Sequence, residues 1–146
     1  MDVRSMILGI VAAAALAAPT QGATDWPAVG QALGKPGTVQ ADGVYRVGLP
    51  RSDLKVTLDG VAVDPALALG AWVAFHEMET GQAMVMGDLV LTQGEINPVI
   101  DVLEANGIEI TALHNHLLRA TPATMYMHIQ VNPVIRELRS AGIEVT

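Results

Sequence analysis

Two long apolar segments, GAWVAFHEM at 70–78 and QAMVMGDLVL at 82–91, flank the turn-like ETGQ. Their near-continuous Met, Val and Ala content fits strands in a buried sheet, although periodicity alone does not separate that from a buried helix. GVYRVGL (43–49), LKVTLDG (54–60) and VAVD (61–64) read as further strands, with Asp59-Gly60 as a tight hairpin turn. Strands are also expected over IEITALHNHLL (108–118) and MYMHIQV (125–131), joined by the turn-like RATPAT.

DWPAVGQALGK (25–35) predicts a short helix, capped by Asp25, with Pro27 in its first turn and Gly34 at its end. LTQGEINPVIDVLEANG (91–107) predicts a second helix, with Ile96, Val99, Ile100 and Leu103 on one face and Gly107 as its stop. Thr92 and Glu95 match a capping box, while Asn97-Pro98 offers a later start. The expected fold class is α+β: a mostly antiparallel sheet of hairpins with two or three short helices.

The N-terminus follows different rules. MDVRSMILGIVAAAALAAPTQGA places Arg4 before an apolar stretch from Met6 to about Ala18, then small residues, which is the pattern of a secretory leader. That stretch is short against the roughly 20 residues of a membrane-spanning helix. Residues 1–23 are therefore read as a signal peptide and 24–146 as a single domain, with the bacterial periplasm or the cell exterior as the expected compartment. There is no cysteine, so core packing, with a metal as a further aid, must hold such an exported domain. A net charge of −7 and a pI near 4.8 argue against nucleic acid as a partner.

INPVIDVLEANGIEIT (96–111) and VNPVIRELRSAGIEVT (131–146) align without gaps and are identical at nine of sixteen positions. A helix–strand unit thus recurs near the C-terminus. An exposed edge at the terminal strand is where a second copy could pair to form a homodimer.

Three of the four histidines lie between residues 114 and 128. In a strand His114 and His116 project to one face, together with Ile108, Ile110 and Ala112. A hairpin centred near Pro122 would put His116 opposite His128 and His114 opposite Gln130, so that three imidazoles converge. Such a patch could supply three nitrogens to a divalent metal at about 2.0–2.1 Å, zinc first, with a position left open. A one-residue slip would disperse it. Glu95 is a candidate fourth ligand or general acid/base, although capping accounts for it equally. Tyr126, on the face of His128, is a candidate proton donor or an ordinary packing aromatic.

Asp88 reads as a carboxylate closing a strand. His76 and Glu77 read as solvent-facing, and Arg51 with Asp53 as a surface ion pair or an orienter of an anion. Met84, Met86, Met125 and Met127 read as core filler rather than copper ligands. The chain has no Gly-rich phosphate loop, no nucleophile elbow and no H-E-x-x-H helix, and its region 24–146 has only Ser52 and Ser140, which argues against a serine hydrolase.

VYRVGLPRSDLKVTLDGVAVDPALALGAWVAF, AMVMGDLVLTQGEINPVI and GIEITALHNHLLRATPATMYMHI together resemble the LppY/LpqO-type domain of bacterial exported proteins, over roughly residues 26–130. The resemblance implies an exported bacterial domain, often in longer chains with two copies, and no particular activity. The near-copy after His128 departs from that pattern. The spacing His114-x-His116 and, eleven residues later, His128 is also similar to the zinc site of acetolactate decarboxylases, in which three strand histidines hold a zinc that polarises a keto acid. That is a likeness of sites only.

Three readings follow. The domain binds one metal through His114, His116 and His128 and acts on a small oxygen-rich molecule as a lyase or hydrolase; or it binds metal without turnover; or it is a metal-free interaction module.

Overall fold

The computed structural model describes residues 8–11, 24–78 and 82–133. Its elements in chain order are α1 (Trp26–Ala32), β1 (Thr38–Val39), β2 (Tyr45–Pro50), β3 (Thr57–Leu58), β4 (Val61–Ala62), α2 (Pro65–Ala68), β5 (Gly70–Glu77) and β6 (Ala83–Thr92). A 3-10 turn (Gln93–Glu95) then leads into α3 (Ile96–Ala105), followed by β7 (Glu109–His114), β8 (Ala120–Thr121) and β9 (Thr124–Val131). The fold is α+β with antiparallel sheets.

Six strands form one sheet in the order β1-β2-β5-β6-β9-β7. β5 and β6, the two apolar segments, are central, and each alternates strictly enough to have an inner and an outer face. Val73, Phe75, Val85 and Leu89 point inward and are fully or nearly fully buried, as are Val47 and Leu49 on β2 and Met127 and Ile129 on β9. The outer row is different in kind: Trp72 on β5 stands beside Asp88 on β6, which stands beside His128 on β9 and then Ala112 on β7. A second sheet, β4-β3-β8, is made of two-residue strands. Its β3–β4 hairpin turns at Asp59 (φ 51°) and Gly60 (φ 84°), as the Asp-Gly pair predicts.

The helices form where the caps direct. Asp25 accepts the Ala28 N–H at 3.1 Å to open α1. Thr92 and Glu95 make the reciprocal capping box before α3, and Gly107 (φ 69°) follows its end in the left-handed conformation that glycine tolerates. Val99 and Leu103 bury the inner face of α3. Most aromatic packing gathers at the other end of the sheet, where Trp26 stacks on Tyr45 at 5.1 Å and both adjoin Phe75. There an open cleft of about 750 Å³ lies between α1 and β2, lined in part by Trp26, Lys35 and Tyr45.

Three expectations about β7 need correction. The strand ends at His114, so the His116 end of the expected strand lies in a bend. The register with β9 pairs His114 with Tyr126 and Ala112 with His128, four residues away from the pairing a turn at Pro122 would give. Residues 115–123 do not close a tight turn; they leave the main sheet so that Ala120 and Thr121 can pair with β3. A bulge between Ile110 and Ala112 has a further effect. Before it, Ile110 lies opposite inward-facing Ile129, and after it Ala112 and His114 lie opposite outward-facing His128 and Tyr126. Ile110 therefore faces away from the histidines, contrary to the simple alternation expected for an unbroken strand.

Residues 8–11 form a helical turn with Ile10 buried in the core and Gly9 close to the backbone of Ala32 and Leu33. The rest of the expected leader and residues 134–146 of the expected repeat lie outside the described residues. Among those described, no helix is long and apolar enough to cross a membrane.

Candidate functional site

The outer face at the β6–β9–β7 end of the sheet gathers four of the five residues singled out in the sequence. His128 stands on β9, His114 ends β7, and His116 folds back just beyond it. His114 Nε2 and His128 Nε2 are 2.9 Å apart. One ring must donate and the other accept, or both must turn lone pairs towards one cation. His116 lies parallel to His114 at 4.8 Å between centroids and face-on to Tyr126 at 3.8 Å. The Tyr126 ring is the platform on which the loop histidine rests.

Tyr126 is buried, and its hydroxyl donates to the Ala68 carbonyl at the end of α2. Burial, with the nearby Asp88 carboxylate adding to it, pushes this hydroxyl above its ordinary value of 10. The phenol is thus neutral at pH 7 and its proton is committed to Ala68. Its direct contribution to the site is a stacking surface.

Asp88 sits in mid-strand with a paired strand on each side, not at a strand end as expected. It is the cross-strand neighbour of His128, and its Oδ1 lies 4.0 Å from His128 Nδ1. That separation is beyond hydrogen-bond reach. The same oxygen is buried without a hydrogen-bond partner. An unsatisfied buried polar group costs on the order of 1–3 kcal/mol, so its presence beside a half-exposed histidine invites explanation.

Glu95 lies in a different cluster. Its Oε2 accepts the Thr92 backbone N–H at 2.7 Å, and both oxygens accept from Arg51 at 3.0 Å. Burial works to raise its carboxyl, but Arg51 and the Thr92 bonds hold it below its ordinary value, so it remains an anion at neutral pH. Capping and ion pairing account for it fully. Arg51 is 4 % exposed, a buried guanidinium rather than the expected surface partner of Asp53. Its remaining donors reach Asp53 at 2.9 and 2.8 Å and the Val90 carbonyl at 2.7 Å, so all five N–H groups are used. Burial opposes its charge, yet the two carboxylates more than offset this and raise it above its ordinary range.

The sequence placed the histidines together and undervalued Asp88 and Arg51. The signal for Asp88 was a lone carboxylate inside an apolar strand, which only the β6–β9 register sets beside His128. The Arg51–Glu95 contact spans 44 residues and left no local trace. His76 is exposed, as expected, with Glu77 partly buried. Among the described residues no group of three or more His, Cys, Asp or Glu side chains is arranged to hold a metal ion. The rings of His114 and His128 bring two nitrogens together, while His116 lies in its stack.

No curated protein and no solved structure gives a significant match to the chain. Residues 27–132 match the family described as Domain of Unknown Function (DUF1259), which is 106 of the 146 residues and takes in both clusters and every described strand. The chain belongs to that family.

Proposed function

We propose that this domain binds one divalent metal ion, zinc first, between His114 and His128, with His116 as a third ligand once it leaves its stack on Tyr126. The observation that carries this reading is the 2.9 Å separation of the two Nε2 atoms. Two nitrogens about 2.05 Å from a tetrahedral zinc stand about 3.3 Å apart, so a parting of about 0.4 Å would admit the ion. The side chain of His128 is 39 % exposed, so an ion held there would be open to solvent. That openness favours a ligand-accepting site over a closed structural one. When bound, the ion would supply a Lewis acid for a carbonyl or an activated water.

The chain's own part is to hold two imidazoles on adjacent strands and a third on a short loop, against the apolar wall of Tyr126. A small oxygen-rich molecule suits this shallow face better than a polymer, and lyase or hydrolase chemistry is the class to search. The leader pattern and the LppY/LpqO-type resemblance support a site that works outside the cytoplasm. Among the described residues β7 is an edge strand, and a second copy would add there in a homodimer.

Elemental mass spectrometry of protein purified without an affinity tag tests the reading. Near-stoichiometric zinc, iron, nickel or copper, lost from a folded His114→Ala/His116→Ala/His128→Ala variant, is the expected result. Wild-type protein that stays metal-free after reconstitution with each ion would overturn it, leaving the 2.9 Å contact as a hydrogen bond of a metal-free module.

A further inference from the structure

The orphaned oxygen of Asp88 lies 4.0 Å from His128 Nδ1, and we infer that Asp88 is the positioning residue of the histidine site. It fixes His128 as the Nδ1–H tautomer, so that the Nε2 lone pair points at His114. Three observations converge on this assignment. Asp88 and His128 are direct partners across the β6–β9 ladder, so the backbone holds them together whatever the side chains do. The Asp88 Oδ1 is buried with no donor of its own, and His128 Nδ1 lies 4.0 Å from it. The opposite nitrogen of the same ring is already engaged, 2.9 Å from His114 Nε2.

The row Asp88–His128–His114 therefore runs across three adjacent strands, β6, β9 and β7, with His128 as the link. Closing the first gap to the usual length of a charge-assisted bond needs a shift of about 1 Å, which a rotation of the ring or the carboxyl supplies. Once closed, the carboxylate takes the Nδ1 proton as its hydrogen-bond donor and leaves Nε2 as an acceptor. In the metal-free protein that acceptor receives the Nε2–H of His114. With a cation present the same lone pair is already aimed, and His114 alone must change tautomer. Ligating histidines commonly have such a carboxylate behind them, where it orients the ring and raises its basicity. Small Ala112, the neighbour of His128 on β7, offers no competing acceptor side chain.

The assignment of the tautomer stands without a metal; only its effect on affinity rests on the function proposed above. The experiment is built to separate the two. Long-range proton–nitrogen NMR of the imidazoles in the metal-free full chain reads the tautomer of His128 directly. The expected spectrum shows Nδ1–H in the wild type, a shift of His128 towards Nε2–H in Asp88→Ala, and retention of Nδ1–H in Asp88→Asn, whose amide oxygen still accepts. Zinc titration of the same proteins should then show affinity about 10- to 100-fold weaker for Asp88→Ala, with Asp88→Asn between it and the wild type. A wild-type His128 found as Nε2–H, or a tautomer indifferent to Asp88→Ala, would overturn the inference, and the wild-type spectrum decides even if a variant fails to fold. The Nδ1–H tautomer in protein that takes up no zinc would uphold the role of Asp88 while sinking the metal site.

Discussion

Two polar clusters adjoin strand β6, and they are finished to different degrees. Around Arg51 every N–H has an acceptor: two carboxylates and a backbone carbonyl close the network. Around His128 the bonding is incomplete, with an oxygen lacking a donor and two ring nitrogens face to face. The first cluster joins the β2 exit to the start of α3 and needs nothing from outside. The second has unused capacity for a proton, an ion or a ligand. A buried polar group that is fully satisfied belongs to the architecture, whereas one left open is a place to look for function.

The sharpest way to break this contrast is Arg51→Met. It leaves the Val90 carbonyl and two carboxylates without their partner, and unfolding in urea should show a loss on the order of 3 kcal/mol. Metal content per folded molecule should not change. Acid should act on the same cluster, more gently. Asp53, through its bonds to Arg51, and Glu95, where Arg51 and Thr92 outweigh burial, are both held below their ordinary values. Their contribution is therefore present at neutral pH and lost as pH falls below about 4.5, the ordinary value for Glu95, through the lower values in the fold. A pH series of urea midpoints should show that decline in the wild type and a flatter one in Glu95→Gln, which starts from lower stability.

The histidine cluster should respond in the opposite way. His114→Ala/His128→Ala should abolish metal uptake, yet lower metal-free stability by only about 1 kcal/mol, the net worth of a single hydrogen bond. The smallest stability effect belongs to Asp88→Ala. Losing its bond to His128 is offset by no longer burying a carboxylate, so the urea midpoint should stay within about 0.5 kcal/mol of the wild type. A large loss from Asp88→Ala would erase the distinction between the two clusters.

How much of this was legible beforehand depended on distance along the chain. The capping box at Thr92 and Glu95, the Asp59-Gly60 turn and the strands β5 and β6 are local, and their residues announce them. The convergence of His114 and His128 was also readable, because the register past the bulge differs from the expected one by an even number of residues and so preserves the face, whereas His116 joins them from the bend beyond the strand. The partners of the site were not. Asp88 and His128 are forty residues apart, and whether β6 or another strand lies beside β9 is a matter of sheet order that no periodicity encodes. Arg51 was misjudged for the same reason: with only Asp53 in view it resembled a surface pair, and its burial comes from β6 and α3.

The bulge between Ile110 and Ala112 gives the site an unusual kind of inheritance. Up to Ile110, strand β7 keeps time with the core; one extra residue puts it out of phase, and everything after keeps time with the histidines. Were Thr111 to pair regularly with His128 instead, the bulge would vanish, His114 would turn inward opposite Met125, and Leu113 would come to the outer face. No ligand would have been substituted, and every functional side chain would still be encoded. In this fold the histidine centre can thus be switched off, or regained, by the register of one strand rather than by the identity of any residue in it.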